Sequence, residues 1–468
     1  MHMTAGQIAT VASGRVVGDS AATASSWTND TRTLERGACF VALVGERDGH
    51  DFVLSAFEAG AAVALVSRAV DSAIVPPGAA VVIVDDPLTA LTDAARAMRQ
   101  GYEGVLVAIT GSTGKTSTKD LLASALAGSA RVHAAAESHN NELGLPLTLL
   151  NAPESTDVVV AEMGARFAGN ITQLCEIAGP HVGVVTNVGL AHAEHLGGPA
   201  GVATVKGELI AALPPDGFAV LNADDAGARG LADRTRARIV LTGRARTADV
   251  RVVDAVVGDD LRAHVRFETP SGPLETTLGL RGAHQVQNAA LAVGVAVALG
   301  HDLVNVGEGL ARATGSRWRM EVDTSPGGVT ILNDAYNANP ASMDAALVAL
   351  ESLPVTGRRV AVLGEMRELG DHSLEAHARV GASAALHHVD LLVTVGEAGE
   401  WIARASGAGD VLVVGDAAGA LAALRGRLRS GDAVLVKASR AVGLEAVAEA
   451  LSAGAGDYEA DRAMGADA

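Results

Sequence analysis

Cysteine is scarce in this 468-residue sequence: Cys39 and Cys175 are the only two, and neither belongs to a C-x-x-C pair. That excludes a disulfide framework and a cysteine-based zinc site. No uninterrupted apolar stretch reaches the ~18 residues of a membrane span. The N-terminus, MHMTAGQIAT, lacks a basic segment followed by an apolar core, so no signal peptide is expected. Positive charge is also short. Lys and Arg number 36 against 54 Asp and Glu, a formal net charge of −18, and no basic run supplies the patch a nucleic-acid binder carries. There is no serine nucleophile elbow, no guanine-reading N-K-x-D element and no repeat of solenoid length. These absences point to a soluble cytoplasmic protein.

What the chain has in quantity is apolar residues (49%) and 54 glycines. This composition suits many short turns between strands and helices, an α/β protein. Its length suggests about three domains of ~150 residues. Residues 1–103 form a first unit, with strands in FVALVGERDGHDFV, AAVALVSR and AAVVIVDD and a helix in PLTALTDAARAMRQ. Residues 104–315 read as a doubly wound, mainly parallel sheet. Its strands are expected at 105–109, 158–161, 182–186, 218–221 and 238–241. Between 249 and 281 the alternation of VRVVDAVV, LRAHVRFET and LETTLGLR predicts a small antiparallel sheet. Residues 316–468 read as a second open α/β unit, with strands at 329–332, 359–363, 391–395, 411–414 and 433–436, and a hinge is expected near Thr314–Ser316.

The most informative segment is GVLVAITGSTGKTSTK, Gly104 to Lys119. A β-branched run leads into a glycine-rich turn and then a helix, the parts of a phosphate cradle. The strict P-loop pattern asks for Gly at position 109, where this chain has Ile109; the shorter T-G-x-x-G-K-T stands here, from Thr110 to Thr116. Gly111 and Gly114 let the backbone approach an anion, Lys115 would reach the β- and γ-phosphates, and the Thr116 hydroxyl would ligate Mg²⁺. Ser112, Thr113 and Ser117 complete the candidate ATP-binding loop.

Other candidates stand at strand ends, where open α/β sheets bind ligands. Glu162 closes TDVVVAEMGA and could hold Mg²⁺. His192, in TNVGLAHAEHLGG, is either a metal ligand, a substrate contact or a structural histidine. Lys206, in TVKGEL, reads from its neighbours as a solvated helix lysine, and Asn288, in GAHQVQNAALA, as a helix cap. Arg319, in RWRMEV, could cross a cleft to phosphate. Asp334, Asn337 and Asn339 lie in NDAYNANP, a loop that turn and cap chemistry alone could also explain. Lys437, Ser439 and Arg440 end the strand VLVK.

The ordered set TGSTGKTS, NNELGLPLTLL, EMG, TNVGLAH, VKGE, NDAYNANP, LGEM-ELG and VKASR resembles the Mur ligases, from Asp30 to about Glu445. The resemblance implies an N-terminal UDP-sugar-binding domain, a central P-loop ATPase and a C-terminal Rossmann-like domain. DAYNANP with LGEMRELG is similar to the members that take D-alanyl-D-alanine, and the D-N-P-R signature of the diamino-acid-adding members is missing. The implied reaction joins D-Ala-D-Ala to the carboxylate of UDP-N-acetylmuramoyl-tripeptide, using ATP and two Mg²⁺, in a monomer. By the same resemblance Glu162 and His192 would serve the metals and Lys206 would be carbamylated. Asn288, Arg319 and Asp334 would contact the nucleotide. Asn140, Asn141, Tyr336, Asn337 and Asn339 would face the substrates, and Thr31 and Arg32 would bind the UDP-sugar. Gln285 and Ala438 depart from the family pattern, which has Asn and Gly there. Folate-polyglutamate-type ligases share the ATPase core but have no reason to carry the first unit or DAYNANP.

Overall fold

The computed structural model describes residues 2–135, 139–189, 198–407 and 409–456. Three main sheets follow one another along the chain. The first has the order β1-β5-β4-β3-β2, from strands β1 (Arg15–Gly18), β2 (Trp27–Thr28), β3 (Cys39–Val41), β4 (Val63–Val66) and β5 (Ala80–Ile83). All its pairings are parallel except that of β1 with β5. Helix α1 (Pro87–Gln100) follows, started by Pro87 and by the Asp86 carboxylate, which accepts the Thr89 N–H.

The central sheet has nine strands. The elements that matter here are β6 (Val105–Thr110), α2 (Lys115–Leu126), β7 (Val132–Ala134), β8 (Val158–Glu162), α3 (Asn170–Ala178), β9 (Val182–Val185) and α4 (Pro199–Ala211). Strands β10 (Phe218–Asn222) and β11 (Arg238–Gly243) extend it on the β9 side. Strand β6 lies between β8 and β9, all parallel. The chain therefore reverses its winding direction there and opens a crevice at the carboxyl ends of these strands. Both faces of β6 are buried, which is why its sequence is a continuous apolar run and not an alternating one.

Strands β12 (Val250–Val257), β13 (Arg262–Thr269) and β14 (Gly272–Arg281) are antiparallel, as their alternation predicts, with β13 and β14 wet on one face. They continue the central sheet through a two-position parallel pairing of β12 with β11. Helices α5 (Gln285–Ala298) and α6 (Leu303–Arg312) then pack back on α2.

The third sheet comprises β15 (Glu321–Thr324), β16 (Thr330–Asn333), β17 (Arg359–Gly364), β18 (Leu391–Val395), β19 (Asp410–Val414) and β20 (Ala433–Lys437), in the order β15-β16-β20-β17-β18-β19. Only the edge strand β15 is antiparallel. Helix α7 (Pro340–Ser352) follows β16.

One apolar core runs without a break from the first unit, through α1, onto one face of the central sheet. The third unit differs. Among the described residues, its two core clusters take in a single residue from before Ser316, namely Leu261. Its junction with the central unit is otherwise polar, and the binding crevice opens there. Cys39 and Cys175 are both buried free thiols, and among the described residues no helix is long and apolar enough to cross a membrane.

Candidate active site

The turn from β6 into α2 has the cradle geometry. Gly111 has φ +149° and Gly114 has φ +78°, backbone conformations that favour glycine. A Cβ at 111 would strike the Thr186 hydroxyl, and one at 114 would sit 2.5 Å from Asn288 Oδ1. Between them Thr113 is braced from the end of β9. Asn187 Oδ1 accepts its N–H (3.0 Å), Asn187 Nδ2 donates to its hydroxyl (2.7 Å) and Thr186 Oγ1 donates to its carbonyl (2.5 Å). Ser112 Oγ accepts the Gly189 N–H at 2.8 Å. The loop is thus held rigid ahead of the positive end of a 12-residue helix.

Lys115 folds back, Nζ donating to the Gly111 carbonyl at 2.8 Å. Loss of hydration pulls its pKa below the ordinary lysine range, against the opposing charge of Glu162.

Glu162, the last residue of β8, is 1% exposed and is the acidic centre of the site. One carboxylate oxygen accepts the Thr116 hydroxyl (2.8 Å) and the other Asn140 Nδ2 (2.8 Å). Arg319 Nη2 donates to the same Thr116 Oγ1 at 3.0 Å, across from the segment that leads into the third unit. Among the described residues no group of three His, Cys, Asp or Glu could hold a metal by itself. A carboxylate and a hydroxyl beside a phosphate cradle nevertheless fit Mg²⁺, which takes one or two protein oxygens and completes its shell with phosphate and water. His192 lies outside the described residues.

Lys206 is not the solvated helix lysine its local sequence suggests. It is 1% exposed on α4, and burial, reinforced by Lys115 and opposed by Glu162 and Glu208, lowers its pKa to about 7. The tertiary fold turns this face of α4 inward, so local sequence could not reveal it.

Asn288 is not a cap either. It lies inside α5, whose N-cap is His284, and its Nδ2 donates to Gln285 Oε1 at 2.9 Å. Gln285, the departure from the family pattern, therefore orients the amide that faces Gly114. Ala438 is fully buried, and its methyl lies where a Cβ on Gly364 would fall (2.6 Å), so the two small residues fit one another.

On the third unit, Asp334 at the end of β16 accepts Lys437 Nζ (2.5 Å) and the Met320 N–H (3.2 Å). Lys437 is 2% exposed, and its ammonium also donates to the Asn337 carbonyl at 2.8 Å. The Arg319 guanidinium stacks 4.2 Å from the Tyr336 ring centroid. Asn339 has its cap role: its side chain accepts the Ser342 N–H at the start of α7.

One cleft of about 1320 Å³ gathers these groups and reaches Thr92 and Arg96 on α1. Of the predicted site residues that are described, all line it except Gly111 and Lys206 and, in the first unit, Thr31 and Arg32. Arg32 is instead exposed and ion-paired with Asp30 at 2.6 Å. Sequence reasoning passed over the bracing by Thr186 and Asn187 and the Lys437–Asp334 pair. Their common signal, polar residues ending apolar strands, was present in TNVG and LVKAS.

Comparison with known proteins agrees with this geometry. Residues 109–296 match the Mur ligase middle domain, and residues 318–440 match the Mur ligase glutamate ligase domain. A curated relative, the UDP-N-acetylmuramoyl-tripeptide–D-alanyl-D-alanine ligase of Mycobacterium tuberculosis, is 42% identical over 91% of each chain.

This chain belongs to the Mur ligase family.

Among solved structures, MurF from Acinetobacter baumannii superposes with a TM-score of 0.84, at 29% identity over 97% of this chain and 99% of that one. MurF from Thermotoga maritima in complex with ADP gives 0.76, at 30% identity over 91% and 97%. The three-sheet architecture, with its parallel sheets and antiparallel extension, is therefore that of a Mur ligase.

Proposed function

We propose that this Mur ligase joins D-alanyl-D-alanine to the peptide carboxylate of UDP-N-acetylmuramoyl-tripeptide, driven by ATP, as a step of peptidoglycan precursor synthesis. The observation that carries this reading is the meeting of Thr116, Glu162 and Arg319 at the mouth of a glycine cradle. It is the arrangement a phosphoryl transfer needs. A carboxylate is a poor electrophile; its oxygen would take the γ-phosphoryl group of ATP with release of ADP, and the free amine of D-Ala-D-Ala would then attack the acyl carbon, forming the amide as inorganic phosphate and the amine proton leave.

The protein's part is alignment and charge neutralisation. Gly111 to Ser117 and the start of α2 cradle the triphosphate, with Lys115 between two anions that would otherwise repel. Thr116 and Glu162 would hold Mg²⁺, and the family resemblance assigns His192 to the metals as well. Asn288, Arg319 and Asp334 close on the nucleotide. Asn140, Asn141, Tyr336, Asn337 and Asn339 line the path of the peptide and dipeptide. Residues 1–103, with Thr31 and Arg32, bind the UDP-sugar, residues 104–315 are the ATPase domain and residues 316–468 the closing domain. No protein nucleophile is required.

Lys206 is assigned as a carbamate. Its lowered pKa leaves a large share of neutral amine, the form that adds carbon dioxide, and the product is an anion suited to a metal's outer shell. The enzyme acts as a cytoplasmic monomer.

The test is a panel assay for ADP release. Turnover should require UDP-N-acetylmuramoyl-tripeptide and D-Ala-D-Ala together and yield the pentapeptide product. Turnover that ignores either substrate would overturn the assignment.

A further inference from the structure

Three residues one turn apart on α2, Thr116, Asp120 and Ser124, form a single polar stripe, and each grips the chain that leads into the third unit. Ser124 Oγ donates to the Gly309 carbonyl at 2.7 Å, and Gly309 approaches so closely that a Cβ there would strike the Ser124 backbone. Asp120 Oδ2 accepts both the Ser316 N–H (2.9 Å) and the Ser316 hydroxyl (2.8 Å). Thr116 Oγ1 accepts from Arg319 (3.0 Å). The chain thus runs antiparallel along the helix that begins at the phosphate cradle, anchored at spacings i, i+4 and i+8.

Past Ser316 the backbone bonds change sides. The Trp318 carbonyl accepts the Tyr336 N–H (3.1 Å), and the Met320 N–H goes to Asp334 (3.2 Å). The guanidiniums of Arg317 and Arg440 both lie over the Trp318 indole, 4.9 and 4.3 Å from its centroid, and its N–H reaches Glu449 at 3.2 Å. Trp318 and Met320 both have left-handed backbone, φ +58° and +52°. Such residues carry strain of roughly 1–3 kcal/mol each and persist where surrounding contacts over-determine them. Ser316 is therefore bonded to the central unit, whereas the backbone of Trp318 and Met320 is bonded to the third.

We propose that Asp120 is a positioning residue. By holding Ser316 on α2, it sets the point from which Arg319 reaches the phosphate site. Among the described residues the Asp120 carboxylate bonds to Ser316 and Lys119 and to no predicted site residue. It is 10% exposed, and its other oxygen pairs with Lys119 Nζ at 2.7 Å. The inference rests on the proposed role of Arg319 in the ligase.

Asp120→Ala alone would orphan the buried Lys119, so the test compares Lys119→Met with the double variant Lys119→Met/Asp120→Ala, and adds Ser316→Ala. Two readouts are taken on the full chain. The first is steady-state turnover. The second is the distance distribution between spin labels at D233C and R425C, both exposed positions, with and without MgADP. The double variant should lose roughly ten- to a hundredfold in kcat relative to Lys119→Met, the effect of hydrogen bonds to one charged group, with a smaller change in KM for ATP. Its distance distribution should broaden, and Ser316→Ala should fall between. A purely structural Asp120 would lower thermal stability and leave both readouts at the Lys119→Met values. Equality in either readout overturns the proposal. The distance arm does not depend on turnover, so an enzyme that fails to ligate would refute the functional assignment while this arm still judges the clamp.

Discussion

Lys206 offers the sharpest test of how the buried site works. A lysine of ordinary pKa, 10.5, is neutral in only about one molecule in three thousand at pH 7. With its pKa lowered to about 7, roughly half of Lys206 is neutral there, an enrichment on the order of 10³ in the form that reacts with carbon dioxide. Enzyme incubated with ¹³C-bicarbonate should show a carbamate resonance that grows as pH rises through about 7 and is missing from Lys206→Met. The same shift makes a stability prediction whose sign follows from proton linkage. The folded pKa lies below the unfolded value, so the folded state binds fewer protons between about pH 7 and 10.5, and stability rises with pH across that window. Lys206→Met removes this cost. In carbon-dioxide-free buffer it should stabilise the protein by an amount on the order of a few kcal/mol below pH 7, shrinking toward pH 10. Urea melts at about pH 6, 8 and 9.5 measure it. A gain that does not vary with pH, together with no carbamate signal, would refute the placement of this amine in a dehydrated pocket beside Lys115.

Further outcomes are expected at neighbouring positions. Lys115→Ala should lower kcat by roughly 10²–10³, as for loss of one contact to developing charge; turnover within a factor of two of wild type would remove it from the mechanism. Gly114→Ala sets a Cβ 2.5 Å from Asn288 Oδ1 at φ +78°, so nucleotide affinity measured by calorimetry should fall, while alanine at the open position Gly169 should leave it unchanged. Asp334→Asn leaves the ammonium of Lys437 buried beside a neutral amide and should destabilise the third unit by about 3–5 kcal/mol in denaturant melts.

The parallel strands were legible because burial on both faces forces an unbroken apolar run, as in β6 and β18. The antiparallel extension was legible for the opposite reason, since one wet face imposes alternation on β13. Strands β1, β2, β7 and β15 were not, because two to four residues at or near a sheet edge leave no periodic trace. In the site, the sequence alone determined the strand–glycine–lysine–helix turn proposed to cradle phosphate: its parts are consecutive, and backbone conformation is a local property. What only the tertiary structure decided is everything that depends on which groups face one another. Lys206 is titrated by distant charges and burial, Gln285 and Asn288 orient one another against Gly114, Lys437 is held by Asp334 a hundred residues away, and Asp120 grips Ser316. Electrostatic and desolvation energies are sums over neighbours in space, and those neighbours are assigned only when the chain has closed on itself.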